Sequence, residues 1–103
     1  MPNLTYIDKL SNGDENFKKR LIDVIKFEFP EEQKAYQENI KQKNYQIAAG
    51  CVHKIKHKIS ILSFEKGYKL ALKHENSLKE NNNNFEQEFE KVLNTITSFL
   101  SLI

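Results

Sequence analysis

The sequence predicts an all-α protein: an antiparallel up-down four-helix bundle with a short additional N-terminal helix. Three observations carry this expectation. Apolar residues recur at spacings of three and four along most of the chain. Only three Gly and two Pro interrupt 103 residues. The polar segments between periodic stretches are short, as antiparallel neighbours require.

"LTYIDKL" reads as a short first helix with Leu4, Ile7 and Leu10 on one side. "SNGD" breaks it, and Asn12 or Asp14 caps the next helix, with Glu15 supporting the first turn. That second helix runs from about residue 14 to about 43 and carries Phe17, Leu21, Val24, Ile25, Phe29, Tyr36 and Ile40. Pro30 removes one backbone donor inside it and is expected to kink or divide it near residues 27 to 29. Asn44 is placed to cap a third helix over about 45 to 62, and Ser63 ends it. A fourth helix covers about 65 to 80, and "ENNNN" forms the following turn. The fifth presents Phe85, Phe89, Val92, Leu93, Ile96, Phe99 and Leu100.

Sixteen basic against fourteen acidic residues leave a net charge of +2, so no global charge drives the chain to nucleic acid or membrane. Apolar content of 39% against 29% charged fits one folded domain over residues 1 to 103. Cys51 is the only cysteine, which excludes an internal disulfide and suits a reducing compartment. The N-terminus has no signal-peptide core, and no run is long enough to span a bilayer, so a cytoplasmic protein is expected.

The chemistry-bearing stretch is "CVHKIKHKISIL", residues 51 to 62. On a helix, Tyr45, Ala48, Val52, Ile55, Ile59 and Leu62 form one core stripe. His53 then points about 130° from the stripe's centre, and His57 nearly opposite it. Lys56 lies on the shoulder between stripe and His53. Ala49 and Ser60 share the exposed sector with His53, and Gly50 lies near its edge, so a partner would meet a low surface there. A neutral imidazole is nucleophilic near neutral pH, and a lysine at i+3 can offset phosphoryl charge as a mobile point charge. These are the parts of a phosphoacceptor site, although a plain solvated histidine has the same spacing.

Residues 52 to 75, "VHKIKHKISILSFEKGYKLALKHE", resemble the histidine phosphotransfer (HPt) domains of multistep phosphorelays. The resemblance puts the phosphoacceptor on His53, the apolar motif position on Ile55, the motif lysine on Lys56 and the late apolar position on Leu62. Ala71 and Glu75 fall in the family's alanine and glutamate places. Upstream, "LSNGDENFKKRLIDVIKFEFPEEQ" is similar to the family's second helix with its acidic-Pro-Glu kink, so the likeness spans about residues 10 to 80. Two motif glycines are replaced, by His57 and by Ser63. The resemblance implies a monomeric carrier that takes a phosphoryl group from the receiver domain of a hybrid sensor kinase. It would pass that group to the receiver of a response regulator. The partner receiver would bring Mg²⁺; this chain would have no cofactor of its own and no stand-alone catalytic activity. His57, replacing the glycine, would have an accessory role.

Other readings find less support. His53 and His57 have the i, i+4 spacing of metal ligands, but no third or fourth ligand is apparent. His74 is on another helix, Cys51 faces about 160° from His53, and the exposed sector carries no carboxylate, so no metal site is expected. The lysine-rich stretch lacks exposed aromatics and arginines for nucleic acid. No acid/base constellation of a hydrolase is visible. The alternative is a helical adaptor that binds a protein through the same bundle face without carrying phosphate.

Overall fold

A computed structural model describes all 103 residues. It contains five helices and no strand: α1 (Thr5–Ser11), α2 (Glu15–Lys41), α3 (Tyr45–Ile61), α4 (Glu65–Lys79) and α5 (Glu86–Leu100). The all-α class is thus as the periodicity predicts, and each predicted boundary lies within two residues of the observed one.

The core stripe of α3 is buried as expected: Ala48, Val52, Ile55, Ile59 and Leu62 are all fully inaccessible, and Tyr45 is half-buried against the same core. Burying a Val, Ile or Leu contributes about 1.5–3 kcal/mol, so this one face is a large stabilising term. The most extensive packing is between α3 and α4, followed by α2 and α3. Rings close the opposite side. Tyr36 of α2 meets Phe89 of α5 edge-on at 5.1 Å, and His74 of α4 lies 5.0 Å from the same Phe89.

Pro30 does not divide α2, which stays helical from end to end. The apolar stripe explains this, because Ile25 and Phe29 before the proline and Tyr36 after it all remain buried on one side. Pro30 itself is exposed, as is Lys26, whose carbonyl lost its partner and can be met by water. Three predicted apolar positions are more open than expected: Leu10 is 47% exposed, Phe17 39% and Val24 48%. The short α1 puts Ile7 and Ser11 inward instead, leaving Leu10 turned out.

Asp14 caps α2 by accepting from Phe17 N at 3.0 Å. Asn44 occupies the cap position of α3 but makes no capping bond; its amide donates instead to Gln42 at 3.2 Å. Four helix exits are made by non-glycine residues at positive φ, namely Asn12, Lys43, Ser63 and Asn81. Ser63, at φ 57°, stands where the resembled motif has glycine, and its Oγ accepts from Tyr6 N at 3.2 Å. That bond ties the N-terminal segment to the α3–α4 turn. No helix is long and apolar enough to cross a membrane.

Candidate functional site

His53 lies at the middle of α3, on the side that faces α4, with its side chain 52% exposed. The residue opposite it on α4 is Glu75, whose side chain is only 5% exposed. Nδ1 of His53 is 3.1 Å from Oε2 of Glu75, and Nζ of Lys56 donates to Oε1 at 2.8 Å. Lys79, one turn further along α4, donates to Oε2 at 3.2 Å. One buried carboxylate therefore organises a histidine and two lysines.

Its charge state follows from that arrangement. Burial alone would push the Glu75 carboxyl up, but hydrogen bonds from Lys56 and Lys79, the Lys56 charge and the bond from His53 outweigh it and hold it below the usual carboxylate range. An ionised carboxylate can only accept, so the proton of the shared bond belongs to Nδ1 of His53. The neutral ring then carries its lone pair on Nε2, away from Glu75. That nitrogen lies on the side of the ring away from Glu75, on a rigid helix.

His57 is exposed, as the helical projection predicts. Its Nε2 lies 3.4 Å from Nε2 of His53, with the rings edge-on at a centroid separation of 4.9 Å. The side chain leans toward the N-terminus of its helix, which carries it to the Nε2 end of His53.

Three expectations need correction. Lys56 is not a mobile charge on a shoulder: its side chain is 10% exposed, fixed on Glu75 and set 5.8 Å over the Tyr68 ring. Ala49, expected on the open sector, is 2% exposed, because α4 packs on this side of α3. The exposed sector does have a carboxylate beside it, supplied by α4 rather than α3. Gly50 is open, with nothing within 4 Å of where a Cβ would stand, and it borders a shallow groove shared with Gln46, His53 and Lys79. Ser60 is exposed but lines a different depression, with Ser63, Phe64 and Tyr68.

The remaining candidates are structural. His74 is fully buried and paired with the Tyr36 hydroxyl at 2.6 Å. Cys51 is half-buried, and burial pushes its thiol pKa up, which disfavours the nucleophilic thiolate. Lys58 is held by Glu28 and Glu32 of α2 at 2.8 and 2.9 Å, so one of the predicted surface lysines braces two helices. Glu75, placed only by the resemblance and given no role, and Lys79 are the site members that the sequence reading missed; the signal for Lys79 was its i, i+4 spacing from Glu75.

Comparison with known proteins finds no matching family model, no matching curated protein and no matching solved structure.

Proposed function

We propose that this chain is a histidine phosphotransfer protein, with His53 as phosphoacceptor between two receiver domains. The observation that supports it best is the buried Glu75 beside Nδ1 of His53, which in the neutral ring directs the lone pair to Nε2, on the side away from Glu75. In the forward step the Nε2 lone pair attacks the phosphorus of an aspartyl phosphate in line. The P–N bond forms as the P–O bond to the aspartate breaks, and the aspartate leaves as a carboxylate. The ring keeps its Nδ1 proton and becomes cationic, and Glu75 stabilises that charge. In the return step a carboxylate oxygen of the second receiver attacks the same phosphorus and His53 departs neutral. Such transfer is largely positioning and charge stabilisation, so the receiver's Mg²⁺ and this chain's fixed histidine divide the work.

Lys56 acts through Glu75 and as a nearby fixed cation. Gly50 provides the open approach N-terminal to His53, and His57 stands at the reacting nitrogen as an accessory group. We further propose that α2 to α5 form an antiparallel up-down four-helix bundle with α1 across one end, a reading supported by the Tyr36–Phe89 and His74–Phe89 contacts. The carrier is taken to work as a cytoplasmic monomer.

The deciding experiment is incubation with a receiver domain phosphorylated on its aspartate, followed by mapping of acid-labile phosphate. Label on His53 is expected. A chain that takes no phosphate from any receiver, yet binds one through this face, would be an adaptor instead.

A further inference from the structure

We propose that His53 and His57 together form a two-nitrogen chelate for Zn²⁺, with the metal seated between their Nε2 atoms. The first support is distance. Two imidazole nitrogens bound tetrahedrally at about 2.0–2.1 Å from zinc lie about 3.3 Å from each other. The two Nε2 atoms are already 3.4 Å apart, and the ring centroids are 4.9 Å apart, so the nitrogen ends face one another.

The second support is the tautomer. Metal-binding histidines usually donate their other ring N–H to a carboxylate, which orients the ring and raises its basicity. Glu75 does this for His53 at 3.1 Å. Its own oxygens are occupied by Lys56 and Lys79, so it serves the ligand and is not one. The third support is rigidity. Both histidines lie on one helix, whose inward residues Val52, Ile55 and Ile59 are fully buried, so little order is lost on binding.

No further His, Cys, Asp or Glu joins the pair in a metal-holding group, and both rings are exposed. Water therefore fills the remaining positions, and the ion exchanges readily. Under the phosphocarrier reading above, zinc and the phosphoryl group need the same Nε2, so each excludes the other. Zinc would then be an inhibitor of phosphoryl uptake.

The test uses Zn²⁺ alone with the full chain, followed by calorimetry and by the ring signals of the three histidines in NMR spectra. One Zn²⁺ per chain is expected, with shifts at His53 and His57 and none at His74. His53→Gln and His57→Gln, both on the exposed face, should each weaken binding strongly and by similar factors. Glu75→Gln should weaken it roughly tenfold or more through the orientation of His53. Undiminished binding by His57→Gln, or one Zn²⁺ per two chains, overturns the chelate. Zinc binding without phosphate uptake removes only the phosphocarrier reading; uptake at His53 without zinc binding removes only the chelate.

Discussion

Glu75 and His53 belong to different helices, and their 3.1 Å contact fixes which nitrogen of the imidazole is free. A histidine that is solvated on all sides has no preferred tautomer; this one has a buried anion beside Nδ1, which favours the proton on that nitrogen.

His53→Gln should abolish phosphoryl uptake while lowering stability by only about 1 kcal/mol, since it disturbs one hydrogen bond to the buried Glu75 and no core contact. Ile55→Asp, two residues away, should cost more than about 4 kcal/mol, because it places an unpaired charge in a fully buried site. Thermal melts of the two variants compare them directly. Similar melting would mean that the faces of α3 are assigned wrongly.

Lys56→Ala should shorten the lifetime of phosphohistidine and also lower stability by about 1–3 kcal/mol, since it removes a buried charged hydrogen bond. Glu75→Gln should be worse, by about 3 kcal/mol or more, because it leaves the Lys56 ammonium buried beside a neutral amide. Urea unfolding gives the order. If Lys56→Ala left both stability and lifetime unchanged, the buried pair would have no part in either.

His57→Gly should leave His53 phosphorylatable and alter the rate of transfer, because it uncovers Nε2 of His53. Glycine inside a helix costs about 1 kcal/mol, so a small drop in melting temperature is expected as well. Stopped-flow transfer from a phosphorylated receiver measures the first effect. Phosphate that maps to His57 and persists without His53 would reverse the roles of the two residues.

Acid should destabilise the fold through His74. Burial pushes its pKa down to about 4 from an ordinary 6.5, so the folded protein holds it neutral. Below pH 6.5 the unfolded chain takes up a proton that the native state refuses, and stability falls until the folded group also titrates near pH 4. The loss over that window is roughly 3 kcal/mol. Glu75 adds to it only lower down, as the pH falls below the carboxylate's ordinary 4.5 and through its depressed folded value. Urea midpoints at pH 7 and pH 4.5 should differ clearly for the native chain and less for His74→Leu. An equal pH dependence in that variant would place the acid sensitivity elsewhere.

The helices were legible because their stripes are periodic: Val52, Ile55, Ile59 and Leu62 announce the buried face of α3 without any other part of the chain. The exposure of His53 and His57 followed from the same projection. What one helix cannot reveal is what a second helix lays against it. Glu75 and Lys79 come from α4, so the burial of Lys56 and Ala49 and the tautomer of His53 depend on a packing that no spacing within α3 encodes. The placement of His74 was hidden for a related reason. A histidine among apolar positions reads as polar until Tyr36, thirty-eight residues away, supplies its partner.

The placement of His53 also bears on how a signal would leave this molecule. Its backbone belongs to an unbroken helix of 17 residues, and the opposite face of that helix is locked into the core. No loop or hinge adjoins the imidazole, so a charge added at Nε2 meets no bistable element to tip. Under the phosphocarrier reading, the message is held in occupancy and not in shape. A downstream protein would read it by touching the histidine itself, and the conformation of the rest of the chain would be the same whether the message is present or spent.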